Sequence, residues 1–251
     1  MPASPQFSPF RPEDFRLYEP QNRSDETLNP KRLVVRQRLQ AIGEAAKAAL
    51  AEEGLGFERR ESLHHPFSVN HFRVVAQWTS LFRDAKARKE FARAVGPDLG
   101  KDVDPGHANA ALFASIDDEG ITVGLRVGVE AWYDAQNLTN RCGKSDPERR
   151  ALVELLRSAP GFLLRIHDWE KRYPTESISR DGVEEVLKYF QPGKHQLRCY
   201  RAIPKADPAS TSAEFLGTLV EGMRKLAPLY RFIAWSPGNN WLLKGSGGFA
   251  S

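Results

Sequence analysis

The chain has 251 residues, 41% hydrophobic and 27% charged, an ordinary globular mix that excludes a wholly disordered, collagenous or disulfide-stapled protein. Its 36 Lys and Arg against 32 Asp and Glu leave a charge of +4, which permits a nucleic-acid partner without demanding one. No run approaches the roughly 18 apolar residues of a membrane span and the N-terminus lacks the basic and apolar regions of a signal peptide, so no membrane and a cytoplasmic location are expected.

Residues 1–29 read as an irregular N-terminal arm with a short helical turn near 12–17 and Phe7, Phe10 and Phe15 as anchors. Pro30, behind Asn29 as N-cap, opens a helix. Val35, Leu39, Ile42, Ala46, Ala49 and Leu50 give it one buried stripe, and Gly54 and Gly56 end it. Strand character is expected at 57–63 and 69–76. The next helix is expected over about 80–95, with Gly96 and Pro97 as its stop. Asp84 and Arg88 would pair along it.

The clearest element is a hairpin. Residues 111–116 lead into the turn Asp117-Asp118-Glu119-Gly120. Ile121, Val123, Leu125, Val127 and Val129 then alternate with Thr122, Gly124, Arg126, Gly128 and Glu130, which marks a strand with one buried face. Helical spacing follows over 131–141 and, after the capping box Ser145-Asp-Pro-Glu148, to about Arg157. A strand at 162–167, a helix around Val183–Phe190, a strand at 195–203 and a helix with Phe215, Leu219, Met223 and Leu226 complete the pattern. Thr211-Ser-Ala-Glu214 reads as a second capping box, and Pro228 should kink or restart that last helix.

Strict βαβ alternation is absent. The expected fold is α+β, a single domain over 30–244 with a largely antiparallel sheet flanked by helices, a soft boundary near 142–147 and a flexible tail at 245–251.

Four candidate sites stand out. Glu130, Asp134, Asn137 and Arg141 follow i, i+4, i+7, i+11 spacing and share one helix side. Their oxygens suit a hard cation, or acid–base work by Glu130 and Asp134 with a histidine such as His107. The plainer reading is a solvated helix face. Next, Gly124 and Gly128 flank Arg126 on the non-core face of the strand. There Arg126 could bind a carboxylate or phosphate, or simply join an ion pair beneath a closely packed helix. Third, Arg83, Lys86, Lys89 and Arg93 align on the expected 80–95 helix and could track a phosphate backbone, with Trp78 and Phe82 to stack bases; alternatively this is a soluble surface over core aromatics. Fourth, Trp169, Tyr173, Trp235 and Trp241, with Asn239 and Asn240, form a recognition surface or, in the reading we favour, pin the C-terminus to the body.

Other chemistry finds little support. The six histidines show no HExxH or HxH spacing; His71 and His107 stand beside strands, where a carboxylate such as Asp117 could meet one. Gly143-Lys144-Ser145 matches only the end of a phosphate-binding loop, and no GxSxG or GxGxxG occurs. Cys142 and Cys199 are isolated thiols without metal spacing. The sequence reads as a non-enzymatic binding or assembly protein whose partner is nucleic acid or another protein. A metal-assisted hydrolase or nuclease built on Glu130, Asp134 and His107 is the alternative. Cofactor, metal and oligomeric state stay open.

Overall fold

The computed structural model describes residues 8–96, 100–103, 105–143 and 145–242. The fold is α+β. Among the described residues seven helices, α1 (Pro12–Arg16), α2 (Asn29–Glu52), α3 (Ala85–Val95), α4 (Trp132–Gly143), α5 (Asp146–Arg157), α6 (Arg180–Tyr189) and α7 (Phe215–Ile233), accompany seven strands. The strands are β1 (Phe57–Glu61), β2 (Gln77–Arg83), β3 (Ala111–Ile116), β4 (Gly120–Val127), β5 (Leu163–Ile166), β6 (Tyr173–Pro174) and β7 (Leu197–Pro204). They form one antiparallel sheet in the order β1-β2-β3-β4-β7-β5-β6. The described chain divides into two compact units, interleaved in sequence.

The first unit holds the described residues up to Leu81, Phe113–Val123 and Arg201–Arg224. The apolar stripe of α2, from Val35 to Leu50, is buried in its core. Gly43 lets that helix come close to β2, because a Cβ there would lie 2.5 Å from Thr79 Oγ1. Phe10 and Phe15 are buried as expected, Phe10 meeting the Phe215 ring edge-on at 6.4 Å. Buried polar groups fasten the arm further. Arg32 donates to the carbonyls of Asp25 (2.8 Å), Leu17 (3.3 Å) and Asn22, Arg38 pairs with Asp14, and Tyr18 donates to Gln77 Oε1 at 2.7 Å. Phe7 and residues 245–251 lie outside the described residues, as do Pro97 and Lys144.

The second unit holds Phe82–Leu112, Gly124–Tyr200 and the described residues from Lys225 on. Leu125 and Val127 of β4, Leu164 of β5 and Leu197 and Cys199 of β7 face Leu138, Leu156, Val186 and Ile233 across an apolar core. The expected alternation along β4 is therefore real: its apolar residues are buried, while Arg126 on the other face is half-buried. The stretch at 142–147 links α4 to α5 inside this unit.

Three expectations are corrected. Residues 69–76 are a 3-10 turn (Ser68–Asn70) and loop, and β2 begins only at Gln77. The helix expected from Ser80 starts at Ala85, because Asp84 Oδ1 accepts from the Ala87 N–H at 2.8 Å and caps it there. Thr211 does not cap α7. It ends a 3-10 turn (Pro208–Thr211) capped by Asp207, and Pro228 sits inside a continuous α7.

Candidate functional site

The polar face of α4 points inward at its centre. Glu130, just ahead of the helix, is exposed, while Asp134 and Asn137 are buried. Asp134 Oδ1 accepts from the Trp235 N–H at 2.9 Å and from the Arg83 guanidinium, and Oδ2 accepts from the Ala110 N–H at 2.8 Å. Burial works to lower the pKa of Arg83, but Asp134 together with Tyr230 offsets this and leaves it above its usual value. Tyr230 is pushed up by burial in the same region, with Arg83 opposing.

Asn137 continues the pattern. Its Nδ2 donates to the Ile233 carbonyl at 3.2 Å, and its Oδ1 accepts from the Trp241 N–H at 2.8 Å. Arg141 donates to the Phe232 carbonyl (3.1 Å) and to Asn239 Oδ1 (2.9 Å), lies over the Phe232 ring at 3.6 Å and pairs with Glu148. Asn239 in turn donates to the carbonyls of Arg231, Phe232 and Ala234. These side chains cap the end of α7, whose last carbonyls have no partners within the helix. They also hold the segment that follows, and Trp235 packs edge-on against Phe91 of α3 at 4.7 Å. The stripe visible in the sequence is thus a fastening network.

His107 is the exposed residue of a 3-10 turn (Gly106–Ala108) whose other two residues are buried. Its carbonyl and Glu130 Oε2 come within 3.7 and 3.4 Å of a Cβ position on Gly128. Asp134 takes no part there, since its oxygens face Arg83, Ala110 and Trp235. Among the described residues no group of three or more His, Cys, Asp or Glu is placed to share a metal ion.

The cationic candidates divide. Arg83 is the last residue of β2, not a helix residue, and it points into the buried pair with Asp134, beside the Phe91 ring at 5.3 Å. Lys86, Lys89 and Arg93 remain exposed on α3 at i, i+3 and i+7 spacing. Arg88 stays close to the sheet end, donating to the Arg83 carbonyl at 2.9 Å and lying over the Phe82 ring at 5.6 Å. Trp78 belongs to β2 in the first unit, where its N–H donates to Ser62 Oγ at 3.0 Å.

The second unit also carries a row of arginines, of which the sequence pattern marks Arg126 alone. On the non-core face, Arg165 of β5 stands directly opposite Arg198 of β7. Arg198 lies over the ring of Tyr200, two residues along the same face, at 5.1 Å. Gly124 of β4 presses against that strand: a Cβ there would sit 2.6 Å from the Cys199 carbonyl and 2.8 Å from Tyr200 Cβ. Arg126 comes next on β4. Burial lowers its pKa first, the Arg198 charge lowers it further, and Glu130 opposes both. Arg165, Arg198 and Tyr200 are half-buried, like Arg126. The signal for this row was present as alternating residues in two strands, but which strands lie side by side is not written in a local pattern.

Comparison with protein-family models and with curated proteins finds no match. Fold and site define a class only: an α+β protein with a cationic, aromatic sheet face.

Proposed function

We propose that this is a non-enzymatic binding protein whose partner is a single-stranded nucleic acid, taken on the non-core sheet face of the second unit. The observation that carries the reading is the Arg126, Arg198 and Arg165 row beside Tyr200. Like charges directly opposite one another on a sheet oppose folding. A polyanion lying along the row would meet their charge, with Glu130 opposing it at Arg126. Guanidinium groups bind phosphates through paired hydrogen bonds, and a tyrosine ring on a sheet offers a base a stacking platform. Lys86, Lys89 and Arg93 on α3 add phosphate contacts that need no sequence match.

The hydrolase alternative needs Asp134 as a second carboxylate beside Glu130. No observation favours it, because the oxygens of Asp134 are already engaged in the fastening network.

The test is fluorescence anisotropy of labelled 20-nucleotide DNA and RNA strands, with the matching duplex, across a salt series. Expected is a preference for the single strand, weakening with salt, and about tenfold weaker binding in the Arg126→Gln, Arg198→Gln double variant. Equal affinity in wild type and variant, or no binding at low salt, overturns the reading.

A further inference from the structure

The most exposed apolar side chains of the first unit gather on one loop, at residues 62–76. Phe67, Val69, Phe72 and Val75 are 51%, 75%, 63% and 47% exposed. Leu33 and Val34 of α2 are exposed as well, in the helical turn that also carries Arg36. Scattered surface apolar residues need no explanation, but four on one short loop do.

The loop is built rather than slack. Asn70 Oδ1 accepts from the Phe67 N–H at 2.7 Å, and its Nδ2 donates to the His65 carbonyl at 2.9 Å. The Phe72 N–H returns to the Phe67 carbonyl at 2.8 Å, and the Val74 N–H donates to the Arg23 carbonyl at 2.8 Å. This framework holds His71 and Phe72 in consecutive left-handed conformations, at φ 53° and 57°. Two non-glycine residues in that region carry a steric penalty, and an aromatic one is a marked outlier. A penalty held in place by hydrogen bonds, with the strained side chain presented to solvent, is a device for display.

Charge selects what the loop meets. From Ser62 to Arg83 the sequence has no Asp or Glu, while it has His64, His65, His71 and Arg73. Burial first, then the neighbouring His65 and Arg36, lower the pKa of His64, so the standing positive charge of this surface is that of Arg73 and Arg36. The two arginines here, Arg73 and Arg36, are fewer cations than the polybasic clusters that hold proteins on anionic bilayers. A fluid bilayer also has no use for a fixed backbone shape. A second copy would bring one basic loop against another, if the contact were symmetric.

We propose that the loop at residues 62–76 takes up an apolar segment bearing carboxylates from a protein partner, with Phe67 and Phe72 as its anchors. This surface is independent of the arginine row, so nucleic-acid binding and loop docking can fail separately.

The probe is a random 16-residue peptide library displayed on phage and panned against the full chain. In parallel it is panned against Phe67→Ser, Phe72→Ser and, separately, Arg73→Glu. All three substitutions fall on exposed side chains, and a thermal melt checks that each variant stays folded. Expected is enrichment of peptides that combine Leu, Ile or Phe with Asp or Glu. Synthetic copies should bind at least about tenfold more weakly to the double serine variant and measurably more weakly to Arg73→Glu. Peptides without carboxylates, or peptides that bind the serine variant unchanged, overturn the proposal. So does self-association in sedimentation that the serine variant abolishes, which assigns the loop to a second copy. Binding of phosphatidylglycerol vesicles that depends on Phe67 and Phe72 overturns it in favour of a lipid surface.

Discussion

Arg83 at the end of β2 and Asp134 in the first turn of α4 form an ion pair whose side chains are only 4% and 1% exposed. The pair is bound into the backbone, because Asp134 also accepts the N–H groups of Ala110 and Trp235. Removing one partner of such a pair leaves the other charge buried. Asp134→Ala should therefore destabilise the fold by about 3–5 kcal/mol in urea melts. Replacing both partners by Leu and Met should recover part of that loss and no more, since the two N–H groups stay orphaned. Full recovery would show that the backbone bonds contribute nothing. Loss of any function in Asp134→Ala thus reports unfolding unless stability is measured alongside.

The exposed α3 cations make a separate prediction. If Lys86, Lys89 and Arg93 each neutralise one phosphate, reversing all three to Glu lowers the slope of log affinity against log salt by about 2 on a single strand. Stability should barely change, because all three side chains are exposed. An unaltered slope removes α3 from the interface. Arg83 is unsuitable for this test, as its substitution breaks the buried pair.

How much of this was legible follows from the range of each interaction. The β3–β4 hairpin, the α5 cap at Ser145 and the stripe of α2 are local, and the sequence shows them. The start of α3 lies beyond the expected Ser80 although its signal, Asp84 ahead of Ala85, is local too; Leu81 falls in helical spacing with Ala85, Ala92 and Val95 and draws the pattern back into β2. The α4 stripe was found, but its meaning was not. Whether Asp134 faces solvent or a buried arginine depends on α7 returning its end to α4, a contact of residues 101 apart. The display loop is hidden for a different reason: Val69 and Phe72 fit the expected strand at 69–76 until backbone geometry turns them outward.

Arg198 should trade stability for binding. Its neighbours on the face include the like charges of Arg126 and Arg165. Arg198→Gln keeps most of the volume and removes one of these like charges, so unfolding free energy should rise by up to about 0.5 kcal/mol, while affinity for single strands drops about threefold, part of the loss expected of the double variant. Gly124→Val tests the same face sterically. A side chain there must push the Cys199 carbonyl and Tyr200 aside, at a cost of about 1–3 kcal/mol in a chemical melt. A variant as stable as wild type would mean that β4 and β7 do not approach as closely as described.

The last prediction concerns alkaline pH. Cys142 and Cys199 are buried free thiols. Burial pushes Cys142 up to about 12 and raises Cys199 as well, and it raises the phenols of Tyr18 and Tyr230. In each case the folded pKa lies above the unfolded one, so the folded state binds protons that the unfolded state releases. The stability this represents is complete below the unfolded thiol pKa, near 8.5–9, and is lost as pH rises towards the folded values. Urea melts should show little change between pH 6 and 8 from these groups and a steady decline from about pH 9 upward. Replacing both cysteines by Ala should flatten the first part of that decline, after correction for the lost packing, and leave the tyrosine part above about pH 10. Native protein at pH 8 should resist a thiol reagent that labels both cysteines at once in urea. Rapid labelling of the native chain would place at least one thiol at an accessible position and contradict its burial.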